Sequence, residues 1–202
     1  MNILRDYIQS QIGSCRIADY AFAMSVLGND FLPSSLSFKM RDDGHTSLLE
    51  CLQQMPSQLI GDDGAILWEG VEGLLGWLTK NEEWRLHRFV NKKLSFATSV
   101  GAGLVDCKVG DENWPLVCKE EAILIGNDYS FVDGWREQYC NTWLGGREKG
   151  QLCAEYLYGM QWIWAYYTGK MDIVCYNWCY PVGMPPLWDD ILRRLHERGA
   201  PA

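Results

Sequence analysis

Apolar residues recur along this chain mostly at intervals of three or four, the spacing of one face of an α-helix. The clearest stripe follows the turn at 61–64 and comprises Leu67, Val71, Leu74, Leu75 and Leu78. A second long stripe, at about 148–168, comprises Leu152, Tyr156, Gly159, Met160, Ile163 and Tyr167. Strands do not alternate with helices anywhere in the pattern. The sequence therefore predicts a mainly α fold.

Shorter stripes predict further helices and also place the irregular segments. The predicted helices span 14–27, 46–54, 67–78, 82–93, 132–144, 148–168 and 188–197. Ser14 is the expected N-cap of the first, and Gly28 ends it. Residues 95–120 lack a clear period and are predicted to be a loop or linker, whereas 169–188, rich in aromatic residues and proline, should be extended and irregular. We expect segments 1–94 and 121–202 to form one compact unit.

Composition and charge limit the kinds of function that are plausible. The 202 residues suffice for one domain, and the net charge is −8. A protein that holds nucleic acid through its overall field would be basic, so any RNA contact should be local. No apolar run of about 18 residues and no signal pattern is visible, which favours an intracellular protein, cytoplasmic or nuclear, without a membrane partner. The eight cysteines are scattered, with Cys175 and Cys179 the one close pair, so free thiols are favoured over structural zinc.

Three features could carry chemistry. Asp30, in Gly28-Asn29-Asp30, is either a turn residue or a carboxylate that a helix end directs into a metal site. Trp162 is either a core residue or a platform for a nucleic-acid base. A basic cluster, in which Arg88, Lys92 and Lys93 are the candidate RNA-binding residues, lies either along an RNA path or on a solvated helix face.

Several blocks of the sequence, in order, resemble the Xrn family of 5′→3′ exoribonucleases. The resemblance begins at Ile3-Leu4-Arg5-Asp6-Tyr7 and continues in VLGNDFLPSSLSF (26–38), in the turns at 44–49 and 61–66, and in Gly134-Trp135-Arg136-x-x-Tyr139. It ends in Tyr156-Leu157-x-Gly159-Met160-Gln161-Trp162, Tyr166-Tyr167, Gly169, Trp178-x-Tyr180-Pro181 and Pro186 with Asp189-Asp190-Ile191. These blocks cover nearly the whole chain outside 95–120 and resemble the helical portion of the family's conserved region.

The resemblance implies a specific activity. The family removes nucleotides one at a time from RNA with a 5′-monophosphate, using two Mg²⁺ (or Mn²⁺) ions held by acidic side chains. Such ions stabilise the attacking and leaving oxygens of phosphodiester hydrolysis. On this resemblance Asp30 is a metal ligand, and an aromatic residue from the region of Trp162 stacks on a base of the RNA.

The chain also departs from the family pattern. The family's remaining carboxylates and its 5′-phosphate pocket precede the segment that this chain resembles, and Ala18 precedes Asp19 where the family often has two acidic residues. One carboxylate does not hold two divalent ions. We therefore expect either part of an exoribonuclease that needs a separate N-terminal half and binds metal only in the assembled site, or a non-catalytic scaffold descended from such an enzyme.

Overall fold

The computed structural model describes residues 2–35, 37–99, 131 and 133–201. Within those ranges the chain forms helices joined by turns, with a single β-bridge between Ile60 and Ile66. The helices are α1 (Asn2–Gln11), α2 (Ile17–Ala23), α3 (His45–Gln54), α4 (Trp68–Lys80), α5 (Glu82–Ser99), α6 (Trp135–Trp143), α7 (Lys149–Thr168) and α8 (Trp188–Arg198). The predicted mainly α fold is confirmed.

The helix predicted at 14–27 has a different start and a different end. It begins as α2 at Ile17, and Ser14 does not cap it. Asp19 in the first turn instead accepts a hydrogen bond from the backbone N–H of Arg16, at 2.6 Å. Residues Met24–Leu27 form a 3₁₀ turn that ends at Gly28. The prediction of Ser14 as N-cap was wrong because a side chain inside the helix supplies the acceptor.

The structure also differs from the sequence prediction in one additional helix and in the end of another. Helix α1 was not predicted, although its buried residue Ile8 and the buried Ile12, just after its end, have helical spacing. Helix α5 continues to Ser99, beyond the predicted end at 93, and residues 100–130 lie outside the described structure. The segment 169–188 is irregular as predicted, apart from the 3₁₀ turn Met171–Ile173.

One hydrophobic core connects the early and late helices. Helix α8 packs against both α4 and α7. Its Trp188 and Ile191 are fully buried there, as are Leu74 and Leu75 of α4 and Tyr156 of α7. Tyr156 also donates a hydrogen bond from its hydroxyl to the Pro33 carbonyl, at 3.4 Å. A buried residue of the core therefore bonds directly to the segment 28–33 and helps to fix its position.

The described cysteines are free thiols. Cys15, Cys51, Cys140 and Cys153 are buried, whereas Cys175 and Cys179 are exposed, and the remaining two lie outside the described residues. Burial raises the pKa of the Cys51 thiol to about 12. In the part of the chain that the structure describes, no helix has the length and apolar content needed to cross a bilayer.

Candidate functional site: an exposed aspartate beside an aromatic surface

The turn at 28–30 presents Asp30 to solvent. The side-chain Oδ1 of Asn29 accepts hydrogen bonds from the backbone N–H groups of Phe31, at 2.9 Å, and Leu32, at 3.0 Å. The backbone N–H of Asn29 donates to the carbonyl of Leu32 at 3.2 Å. These bonds fold the backbone tightly around Asn29. Asp30 is left at the apex, exposed, and its carboxylate contacts no ionic or hydrogen-bonding partner among the described residues.

Gly28 is required by this geometry for two reasons. Its φ is +93°, a backbone conformation that residues other than glycine rarely adopt. A Cβ atom at this position would also lie 2.5 Å from the Cβ of Ser34, well inside van der Waals contact. Each residue of Gly28-Asn29-Asp30 therefore has a distinct role in the turn. Gly28 adopts the required backbone conformation, Asn29 accepts the hydrogen bonds that close the turn, and Asp30 projects into solvent.

An aromatic surface adjoins Asp30. The Phe31 ring lies 4.9 Å from Trp162, 5.3 Å from Tyr166 and 6.5 Å from Tyr167, measured between ring centroids. Tyr166 is 36% exposed and Tyr167 is 62% exposed. The C-terminal end of α7 thus places two partly open phenol rings next to the residue that follows the aspartate.

Trp162 lies beneath that surface. It is 6% exposed, and its indole N–H donates to the Cys175 carbonyl at 2.8 Å. Tyr166 stacks on its ring with centroids 5.3 Å apart and planes 7° apart, and Trp178 lies 5.5 Å away on a tilted plane. In this arrangement Trp162 supports the exposed tyrosines. Base stacking by Trp162 itself stays a prediction, and it would require Tyr166 to move aside.

The basic cluster lines a cleft of about 210 Å³ between α5 and residues 37–47. Arg88 pairs with Asp43 at 3.5 Å, and Lys92 forms an ion pair with Asp42. The side chain of Lys93, in the same helix, lies outside the described structure. Exposed pairs of this kind contribute about 0–1 kcal/mol, so a phosphate could compete for these cations. Binding of RNA by Arg88, Lys92 or Lys93 therefore also stays a prediction.

Around Asp30, the donor groups that the structure describes do not form a site for a pair of metal ions. Within the described ranges, no three or more His, Cys, Asp or Glu side chains gather closely enough to bind an ion. The carboxylate nearest in sequence, Asp19, is fully buried, and its Oδ1 accepts from the backbone N–H groups of Leu59 and Ile60 at 2.7 and 2.8 Å. Asp30 fits the role of one exposed ligand, and further carboxylates would have to come from elsewhere.

Sequence reasoning did not identify some of the residues that build this site. The burial of Asp19 has no local signature, because two of its three hydrogen-bond donors, Leu59 and Ile60, are about forty positions away along the chain. The exposure of Tyr166 and Tyr167 could have been anticipated, because they lie in the last turn of α7, just before Gly169 ends the helix.

Comparison with known proteins gives one partial match. No protein-family model matches the chain. The chain is 31% identical over 96 residues to the 5'-3' exoribonuclease 2 of Debaryomyces hansenii. The match covers 41% of this chain and 10% of that protein, so the shared part spans about a tenth of the relative's length. The similarity supports a relationship to 5′→3′ exoribonucleases over this part of the chain.

Proposed function

We propose that this chain is the helical part of a 5′→3′ exoribonuclease that acts on RNA bearing a 5′-monophosphate. The observation that carries the proposal is the 96-residue similarity to a 5'-3' exoribonuclease 2. The exposed carboxylate of Asp30, held at the apex of a turn that requires Gly28 and Asn29, supports it independently. The reaction would be hydrolysis of the first phosphodiester bond at the 5′ end.

In this proposal Asp30 is one ligand of a two-metal site. Magnesium prefers carboxylates and water, and two such ions would stabilise the charge that develops on the attacking and leaving oxygens. The other carboxylates and the pocket for the 5′ phosphate would belong to a complementing N-terminal half. Because the described residues supply a single exposed ligand here, the chain alone is expected to be inactive.

The RNA would contact two surfaces: the aromatic surface at the C-terminal end of α7 and the basic cluster on α5. Base stacking on aromatic rings is independent of sequence and contributes about 1–3 kcal/mol per base, which suits an exonuclease that must accept every nucleotide. Tyr166 and Tyr167, supported by Trp162, would offer such rings beside Asp30. Arg88, Lys92 and Lys93 would contact phosphates further along the strand.

The proposal is tested on the assembled complex. The tagged chain is recovered from its native source with its co-purifying polypeptides and given a 3′-labelled, 5′-monophosphorylated RNA with Mg²⁺. We expect stepwise loss of nucleotides from the 5′ end. Asp30→Ala should lower the rate by about 100-fold or more without changing partner recovery, because a metal ligand is lost.

A matched control is Asp133→Ala, which removes an exposed carboxylate from a turn elsewhere on the chain and should leave the rate unchanged. Full activity of Asp30→Ala would exclude the metal-ligand role. Equal degradation of 5′-hydroxyl RNA would exclude the proposed substrate.

A second candidate is a non-catalytic scaffold or interaction protein. Helix α1 favours it, because Ile3 is 88% exposed, Leu4 69% and Tyr7 57%. Apolar side chains this exposed on one helix are typical of a surface that another protein covers. Recovery of partners without acidic motifs, together with absence of Mg²⁺-dependent cleavage, would favour this candidate over the nuclease.

A further inference from the structure

The cleft between α5 and residues 37–47 concentrates positive charge on an acidic chain. Arg85, Arg88 and Lys92 lie three and four positions apart, so they share one face of α5, and all three line the cleft. Lys39 lines the wall that residues 37–47 form. The chain as a whole has a net charge of −8, so an anion would be attracted here by local groups rather than by the overall field.

Arg85 differs from the other cations on α5 in its partners. It is half-buried, with its guanidinium carbon 5.0 Å from the centroid of the Phe38 ring and 4.4 Å from that of Trp77. Its Nη1 donates to the Leu78 carbonyl at 3.4 Å. In the described part of the chain, no carboxylate lies within ion-pair distance of Arg85. Since a charge removed from water is costly without a counter-charge, this environment favours the binding of an anion.

The donor groups of Arg85 remain open to a ligand. Rings that lie over a guanidinium contact its faces, whereas its five N–H groups point outward in its plane. No nitrogen of Arg85 is among the fully enclosed polar atoms that lack a partner in the described residues. Its Nε and Nη2 therefore keep accessible surface, and an anion in the cleft can bond to them directly.

Two aspartates from the loop before α3 compete for the cations of the cleft. Asp43 pairs with Arg88 at 3.5 Å, and Asp42 pairs with Lys92. The Asp43 side chain is 75% exposed and that of Arg88 is 62% exposed, so water weakens their attraction. An entering anion that turned Asp43 toward solvent could bond to Arg88 as well as to Arg85.

We infer that this cleft binds one phosphate group, held mainly by Arg85 and Arg88. The two guanidinium groups lie one helical turn apart and offer N–H donors from different directions. That arrangement suits a tetrahedral anion, whose oxygens point to different corners, better than a planar carboxylate. The hydroxyl of Ser47, which also lines the cleft, can donate to a further oxygen.

The inference deepens the proposed function and rests on it for one source of the phosphate, the backbone of the RNA. A contact to a backbone phosphate carries no base identity, which suits an enzyme that accepts every nucleotide. The inference also identifies Arg85 as a binding residue, which the sequence pattern did not single out. The other source is a free phosphate, which the chain would bind in the same cleft whether or not it acts on RNA.

The test is an NMR titration of the full 202-residue chain, isotopically labelled in its arginine side chains, with inorganic phosphate and, separately, acetate. Chloride keeps the ionic strength constant. Phosphate should shift the Nε–H signals of Arg85 and Arg88, with a dissociation constant in the millimolar range, and acetate should shift them much less. If phosphate shifts neither signal, or if acetate shifts both equally, the inference is overturned.

Removal of the competing carboxylate should strengthen the site. Asp43→Asn should raise the affinity for phosphate about twofold to fivefold, because the ion pair to Arg88 no longer has to be broken. Asparagine tolerates the φ of +62° at this position, so the loop should keep its conformation. The matched control is Asp172→Asn, the same change at an exposed residue away from the cleft, which should leave the affinity unchanged. Unchanged or weaker binding by Asp43→Asn would contradict the inference.

A second variant tests Arg85 itself. Arg85→Lys keeps the charge but loses the planar set of donors, and it should weaken phosphate binding about tenfold. Circular dichroism verifies that the fold is retained. Arg147→Lys, at an exposed arginine outside the cleft, is the control and should bind as the unsubstituted chain does. Equal affinities of the two variants for phosphate would rule out Arg85 as the main donor.

A labelled oligouridine with a 5′-hydroxyl group distinguishes the two sources. Weaker oligouridine binding by Arg85→Lys, together with competition by inorganic phosphate, would assign the site to the RNA backbone. Phosphate binding at Arg85 with no effect of Arg85→Lys on oligouridine would assign it to a free phosphate. The phosphate titration needs neither metal nor a complementing half. Phosphate binding without RNA degradation by the complex would therefore keep the site and lose the proposed enzyme, and RNA degradation without phosphate-dependent shifts would do the reverse.

Discussion

At the scale of single residues, the two aspartates that flank the 3₁₀ turn have opposite surroundings. Asp19 is fully buried and accepts hydrogen bonds from three backbone N–H groups, those of Arg16, Leu59 and Ile60. Its carboxylate thereby fixes the start of α2 against the segment before α4. Asp30 is exposed and contributes nothing visible to packing. A residue kept for stability and a residue available for chemistry thus lie within one short stretch.

Asp19→Asn should destabilise the fold by about 2–3 kcal/mol. The amide retains one oxygen, but its NH₂ group would face a backbone donor, and hydrogen bonds to a charged acceptor are worth about 1.5–3 kcal/mol. Urea unfolding followed by circular dichroism measures the difference. The control is Asp62→Asn, at a 99% exposed carboxylate paired with Arg16 at 2.5 Å, which should cost less than about 1 kcal/mol. Equal stability of both variants would refute the structural role of Asp19.

The sequence predicted the turn at Asp30 better than it predicted the environment of Trp162. Turn chemistry is local, so Gly28 and Asn29 indicate the turn without reference to the rest of the fold. Helix α7, by contrast, is buried on most of its circumference, so its buried residues extend beyond the predicted stripe to Cys153, Leu157 and Trp162. Whether Trp162 points inward or outward therefore could not be read from spacing alone.

At the scale of elements, helix α4 contains three glycines with different surroundings. A Cβ at Gly70 would collide with the Gln58 carbonyl oxygen. A Cβ at Gly73 would meet only the end of the Met55 side chain at 3.9 Å, and at Gly76 nothing lies within 4 Å. The helix thus approaches the preceding segment closely at its first turn and leaves room further along.

Gly76→Ala should stabilise the protein by about 0.5–1 kcal/mol, because alanine restricts the unfolded chain and favours the helix. Gly70→Ala, the same change six residues earlier, should destabilise it by more than that, since backbone atoms must move. Thermal unfolding of both variants distinguishes them by the sign of the shift in Tm. A lower Tm for Gly76→Ala would mean that something covers this face of α4.

The positions of most helices were predictable, and their ends were not. Long amphipathic stripes such as that of α4 are recognised in the sequence because their apolar residues recur at helical spacing. Helix α1 escaped prediction because Ile8 is its one large apolar residue in the core, while Ile3, Leu4 and Tyr7 are exposed and obscure the pattern. The start of α2 was misplaced because its cap comes from within the helix.

At the scale of the whole molecule, Glu82 connects the two halves of the chain. It begins α5, is 1% exposed, and its Oε1 accepts from the backbone N–H of Trp188 at 3.0 Å, at the first turn of α8. Burial raises the pKa of this carboxyl to about 7, against the opposing effects of the Trp188 hydrogen bond and of Arg136. The docking of the late helix α8 is therefore linked to proton binding.

The free energy of unfolding should fall between about pH 4.5 and pH 7 on account of Glu82. Its pKa is higher in the folded state than the ordinary glutamate value of 4.5, so its stabilising contribution is complete below pH 4.5 and is lost as the pH rises through about 7. The difference corresponds to about 3 kcal/mol, at 1.36 kcal/mol per pKa unit.

Glu82→Gln should remove this component while keeping an oxygen for Trp188. Urea midpoints at pH 4.5, 6 and 8 should show the variant gaining stability over the unsubstituted chain as the pH rises. The comparison cancels other titrating groups, because both proteins contain them. A difference that stays constant across the three pH values would show that Glu82 ionises normally in the folded state.

The hydrogen bonds that join the early and late helices have a consequence for how the gene could be divided. Tyr156 to Pro33, Trp164 to Gly64 and Trp188 to Glu82 each bridge residues before 100 and after 130. Together with the packing of α8 on α4, these contacts join the two parts through the folded core. Two open reading frames that meet within 100–130 should therefore encode products that reassemble into one fold, and a split at 55–65 should not.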